Sequence, residues 1–99
     1  MSTDGSVGEP FDPARPYRLN PAVAVRPEPF GALLYDYGTR RLSFLKTRTL
    51  LTVVQELAGR PHVRAALAAA DVPESERQHY ESALAGLASA GTIQRRTDG

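Results

Sequence analysis

Three short, largely apolar runs bounded by turn residues come first, and from Thr47 the apolar positions fall into a helical period instead. Ala22-Val23-Ala24-Val25-Arg26 reads as a strand closed by Pro27 and Pro29, which cannot continue the ladder of a central strand. A second strand, Ala32-Leu33-Leu34-Tyr35, begins after Gly31. Asp36-Tyr37-Gly38-Thr39 then supplies the turn chemistry for a hairpin into a third, Arg41-Leu42-Ser43-Phe44-Leu45. Beyond Thr47, Leu50, Val53, Val54 and Leu57 recur at helical spacing, and Gly59 sits where a helix stops. Pro61 suits the first turn of a second, shorter helix carrying Val63, Ala66, Leu67 and Ala70, which breaks at Asp71-Val72-Pro73. Pro73 starts the third, with Glu74 and Glu76 in the turn where the helix dipole favours anions. Tyr80, Ala83, Leu84, Leu87 and Ala88 follow as an amphipathic stripe up to Gly91. Thr92-Ile93-Gln94 is a candidate last strand. The pattern predicts an α+β domain in which a three-stranded antiparallel sheet is followed by three helices.

Ninety-nine residues make one domain. Residues 1–16 hold only Val7 and Phe11 as sizeable apolar side chains, too few to offset the entropy of ordering, so they read as a flexible tail. The folded domain is expected over 17–95, with a flexible C-terminus at 96–99. No apolar run follows a basic start as in a signal peptide. The apolar stretches fall well short of the ~20 residues that span a bilayer. The reading is therefore cytoplasmic, with no membrane partner.

Twelve basic and eleven acidic side chains leave a net charge of +1, so the long-range field has no strong sign and any steering must be local. Cysteine is absent, which excludes disulfides, thiolate zinc sites, iron–sulfur ligation and a cysteine nucleophile. His62 and His79 belong to different helices without the i, i+4 spacing of a metal pair. Ser43, Ser75, Ser82 and Ser89 lack a nucleophile-elbow context, and no glycine-rich loop opens a helix. Glu28 and Asp36 are single carboxylates beside turns, where turn formation is their expected role. A chain of this size buries only about 60% of its unfolded surface, which leaves little interior to desolvate a reacting group. The expectation is a binder, not an enzyme, with no metal and no cofactor.

One local feature stands out. Arg40, Arg41, Lys46 and Arg48 crowd around the third strand, and no acidic residue occurs between Asp36 and Glu56. A meander leaves the first and third strands as edges, each offering N–H and C=O groups to an incoming peptide. The basic side chains suit an acidic peptide; they also guard an edge against self-pairing. Alternation puts Arg41, Ser43 and Leu45 on one face and Leu42 and Phe44 on the other, and only one face can be the main core. If Leu42 and Phe44 are core, Leu45 and the backbone from Arg41 to Lys46 meet the peptide. Opposite, the third helix offers Tyr80 and Leu84 one turn apart, with Arg77 a turn earlier and Glu81 beside them.

The run VRPEPFGALLYDYGTRRLSFLKTRTLLTVVQELAG, from Val25 to Gly59, joins a strand ending in Arg26, a Gly31-Ala-Leu-Leu-Tyr-Asp strand, a Leu42-Ser-Phe-Leu45 strand and a helix ending at Leu57-Ala-Gly59. In that succession it resembles the peptide-recognition proteins of ribosomally made peptide pathways, the family of the D protein of pyrroloquinoline quinone biosynthesis. Within that family it is similar to the peptide chaperones of mycofactocin biosynthesis over about 17–94. The resemblance implies a winged helix-turn-helix-like domain, without catalysis, that takes the leader region of a precursor peptide as an added strand between the third strand and the third helix. It further implies a radical S-adenosylmethionine maturase as partner, acting on the peptide's C-terminal Val-Tyr and carrying the iron–sulfur clusters itself. On its own the chain is expected to be a monomer. The site residues implied are Arg41, Leu42, Ser43, Phe44, Leu45, Lys46, Arg77, Tyr80, Glu81 and Leu84.

Two rival readings share this architecture. A winged helix-turn-helix regulator would put the last helix into the major groove, but that helix carries Glu74, Glu76 and Glu81 against Arg77, where phosphate contact needs positive charge. No nucleic-acid partner is therefore expected. The other is a scaffold subunit with no peptide of its own. The outer side of the first two helices, with Arg48, Gln55, Arg60 and Arg64, is a candidate enzyme-facing surface and equally an ordinary solvated face.

Overall fold

The computed structural model describes residues 10–96. Its strands are β1 (Tyr17–Leu19), β2 (Val23–Glu28), β3 (Gly31–Asp36) and β4 (Arg41–Leu45), followed by helices α1 (Arg48–Glu56), α2 (Val63–Ala69) and α3 (Arg77–Ser89) and a last strand β5 (Ile93–Arg95). Short 3-10 turns at Leu57–Gly59 and Glu74–Glu76 close α1 and lead into α3. β2, β3 and β4 form the expected antiparallel meander with β3 central, so that β2 and β4 are edges. Pro27 is accommodated because β2 is an edge strand.

Local chemistry sets the turns. The Asp36 carboxylate is nearly buried, and its Oδ1 accepts the N–H groups of Gly38 and Thr39 at 2.8 and 3.1 Å, folding the loop that returns the chain into β4. The Thr47 hydroxyl accepts the Leu50 N–H at 3.0 Å and starts α1. At α2 the cap is His62, whose Nδ1 accepts the Ala65 N–H at 3.1 Å. The inner face of the sheet buries Val23, Ala32, Leu34 and Leu45 against α1, which contributes Leu51, Val53 and Val54. Leu57, Val63, Leu67, Leu84 and Ile93 complete the core.

Two features lie outside the expected outline. β1 pairs antiparallel with β5, Tyr17 opposite Arg95 and Leu19 opposite Ile93, in a second, two-stranded sheet that joins the start of the domain to its end. Asn20 reinforces the junction: its N–H donates to the Thr92 carbonyl and its Nδ2 to the Gly91 carbonyl, both at 2.9 Å. The second feature concerns the expected tail. Residues 1–9 lie outside the described residues, but from Phe11 the chain packs onto the domain. The Phe11 and Tyr17 rings sit 5.0 Å apart, and the carbonyls of Pro13 and Arg15 accept the N–H groups of Arg64 and Val63 at 3.2 Å. Those N–H groups open α2 and have no partner within it, which is why this segment is ordered despite its apolar poverty. Arg96, expected in a flexible end, donates from its backbone N–H to Pro16 and from its guanidinium to the carbonyls of Tyr17 and Arg60. Residues 97–99 lie outside the described residues.

Candidate peptide groove

Leu45 is fully buried on β4, whereas Leu42 and Phe44 are more than half exposed. That decides the question of which face of β4 is core: the alternative in which Leu42 and Phe44 form it does not hold. The reason lies in the neighbouring strand, because Ala32, opposite Leu45, and Leu34, opposite Ser43, face α1 while Leu33, opposite Phe44, faces outward.

Beyond the open edge of β4 the chain leaves a groove of about 540 Å³. Its strand wall is the end of β4 and the start of α1: Phe44, Leu45, Lys46, Thr47 and Leu50. Its helix wall is one side of α3, where Tyr80, Ala83 and Leu87 lie at the spacing of a single apolar stripe, edged by Glu76, His79 and Ser82. Leu84 is the only α3 side chain that is fully buried, so the stripe beside it is shared between core and groove. A smaller cavity of about 180 Å³ lies at the Arg41 end of the sheet and reaches across its three strands, lined by Val23, Leu34, Asp36, Thr39, Arg41, Leu42 and Ser43 with Ala90 and Thr92. β4 thus contributes to two depressions, Phe44 and Leu45 to the larger and Arg41, Leu42 and Ser43 to the smaller. A five-residue strand is about 17 Å long, so a peptide of that length would run along the whole open edge of β4.

The site residues inferred from sequence divide accordingly. Phe44, Leu45, Lys46 and Tyr80 line the groove, and Arg41, Leu42 and Ser43 line the smaller cavity. Arg77, Glu81 and Leu84 line neither. Arg77 instead folds back, its Nε donating to the Val72 carbonyl at 3.3 Å, and Leu84 is core. Thr47, Leu50, His79, Ala83 and Leu87 were not among the inferred residues. Ala83 and Leu87 carry a readable signal, since they continue the Tyr80 stripe at i+3 and i+7; Thr47 and Leu50 reach the groove only because the first turn of α1 abuts the end of β4.

Charge around β4 is uncompensated. Arg40, Arg41, Lys46 and Arg48 are exposed, and no ion pair among the described residues involves them. Of the acids nearby, Glu28 pairs with Arg26 at 2.9 Å and Asp36 is held in its turn, while Glu76 stands on the helix wall of the groove.

The family model of the peptide chaperone MftB family matches residues 16–94. The chain belongs to that family. Relatives named peptide chaperone MftB include a protein of Mycobacterium ulcerans, 60% identical over 80 residues that cover 81% of this chain and 73% of the relative. A Mycobacterium tuberculosis relative is 55% identical, covering 84% and 76%, and a Mycolicibacterium smegmatis relative 50% identical, covering 94% and 91%. No solved structure matches. The MftB family match runs from the residue before β1 into β5 and so takes in both walls of the groove. A peptide chaperone points to a non-catalytic protein whose working part is a surface for peptide. Among the described residues no helix is long and apolar enough to cross a membrane.

Proposed function

We propose that the chain is a non-catalytic chaperone that binds the leader of the mycofactocin precursor peptide as a strand added to β4, and presents it to a radical S-adenosylmethionine maturase. The observation that carries this reading is the groove itself: an unpaired strand edge running beside an apolar helix stripe, with unpaired cations along it. Strand addition makes backbone hydrogen bonds whatever the peptide sequence, and the side chains between β4 and α3 then select for apolar anchors. The basic residues favour a leader rich in carboxylates.

The energies suit a transient holder. Four or so backbone hydrogen bonds at a net ~1 kcal/mol each and two or three apolar anchors at ~2 kcal/mol each give roughly 9 kcal/mol gross. Ordering a disordered leader takes back about 2–5 kcal/mol, before the cost of association. The charged side chains therefore decide whether affinity reaches the micromolar range. Reversing Arg41 and Lys46 together to Glu is expected to weaken binding of a synthetic leader at least tenfold in titration calorimetry. Unchanged affinity would overturn the assignment of the groove.

A further inference from the structure

The four large apolar side chains that stand exposed among the described residues, Phe30, Tyr37, Leu42 and Phe44, all belong to one side of the molecule, the outer face of the sheet and its two turns. The register places Leu33 beside Phe44 and Tyr35 beside Leu42 on that face. Phe30 extends the patch at one end, its ring 6.5 Å from Phe44, and Tyr37 at the other, packed edge-on to Tyr35 at 4.8 Å. No element of the described chain covers this layer.

We infer that this face is the docking surface for a second protein, the enzyme that receives the bound peptide, and that the peptide completes it. The inference rests on the peptide-binding reading above. Three observations select this occupant. First, Phe44 borders both the groove and the outer face. A strand hydrogen-bonded to β4 would lengthen the sheet and put every second side chain onto the same face. A protein seated there touches peptide and chaperone at once, without opening the groove. Second, the four exposed side chains offer roughly 450 Å² of apolar surface, taking ~200 Å² for a whole aromatic side chain. That is a functional-sized patch, yet well below the ~800 Å² per partner of a stable interface, so a second copy would be held poorly. Two or three outward peptide side chains supply much of the difference. Third, the rim is basic: Arg40 and Lys46 are exposed and outside any ion pair among the described residues, while Arg26, its side chain 79% exposed, pairs with Glu28 and the Asp36 carboxylate is held in its turn. The partner surface is thus apolar with a carboxylate border. The outer side of α1 and α2 presents no comparable apolar area, and Arg60 there is tied to Glu56 at 2.9 Å.

The test uses the full chain, a mycofactocin radical S-adenosylmethionine maturase and precursor peptide, and enzyme affinity measured by surface plasmon resonance with and without peptide. Phe30→Ser combined with Tyr37→Ser lies outside the groove lining, and Arg26→Glu changes an exposed side chain that folding does not need. The double variant is expected to lose at least tenfold in enzyme affinity and Arg26→Glu at least threefold, while both keep leader affinity within twofold of wild type. Peptide is expected to tighten enzyme binding by the unmodified chain. Enzyme affinity unchanged in both variants overturns the proposal, as does sedimentation of the wild type as a dimer that the double variant converts to monomer. Failure of the wild type to bind leader would refute the groove reading instead, and the peptide-free arm would still decide whether this face docks the enzyme.

Discussion

Replacing Gly31 by Ala is expected to damage both the fold and the groove. A Cβ at this position would overlap the Leu45 carbonyl oxygen, far inside van der Waals contact, and lie 3.0 Å from both the Leu45 carbonyl carbon and the Thr47 nitrogen. All three are backbone atoms at the junction of β4 and α1, so no side chain can swing aside. Leu45 is held by its register with Ala32 and by full burial, Thr47 by its cap on Leu50. Overpacking of this kind costs roughly 1–3 kcal/mol, and displacing an ordered backbone adds to it; we expect about 3 kcal/mol. Against a native stability of roughly 5–15 kcal/mol and a urea dependence of ~1 kcal/mol per molar, the unfolding midpoint should fall by about 3 M. Gly86→Ala is the matched control, because nothing lies within 4 Å of its added Cβ and it sits inside α3. Relief of helix entropy there should raise stability by about 0.5–1 kcal/mol. Urea melts followed by far-UV circular dichroism read both. If Gly31→Ala shifts the midpoint no more than Gly86→Ala does, the close approach of β3 to the end of β4 is wrong. The same substitution should weaken leader binding even below the unfolding transition, since it displaces the Leu45–Thr47 backbone that forms one wall of the groove.

Other outcomes separate core from groove. Leu84→Ala should cost about 2–5 kcal/mol of stability, as for a fully buried leucine. Tyr80→Ser with Leu87→Ser should instead lower leader affinity at least tenfold, while Glu81→Gln, outside the lining, stays within twofold; calorimetry on the folded variants distinguishes these. Asp36→Ala leaves two turn N–H groups without their acceptor and should destabilise the chain by about 1–3 kcal/mol in the same urea assay.

The three strands and three helices were legible in the sequence because each has a signal: short apolar runs closed by turn residues in β2 and β3, alternation in β4, and the Leu50-Val53-Val54-Leu57 and Tyr80-Ala83-Leu84-Leu87 stripes in α1 and α3. The edge position of β4 followed from the short connections of a meander. β1 and the residues before it were not legible, since a three-residue strand shows no period and the packing of residues 11–16 relies on backbone carbonyls, which composition does not report. The core face of β4 was open because Leu42, Phe44 and Leu45 are all apolar; only the partner strand, with Ala32 and Leu34 turned inward, decides it. For α3 the difficulty was finer. Tyr80 and Leu84 share a stripe, and a rotation of about 40° between them, at ~100° per residue, sends Leu84 into the core and leaves Tyr80 at the groove.

The pairing of β1 with β5 bears on how the protein comes into being during synthesis. One wall of the groove is made from residues 44–50 and the other from residues 76–87, and the strand that ties α3 to the rest pairs residues 93–95 with residues 17–19. Closing a loop of that length is among the slower contacts a small domain can require. On the proposed reading a nascent chain is expected to hold a leader only after its last strand has left the ribosome, and a protein truncated before Ile93 would carry every groove residue yet lack the strand pairing that joins α3 to the start of the domain.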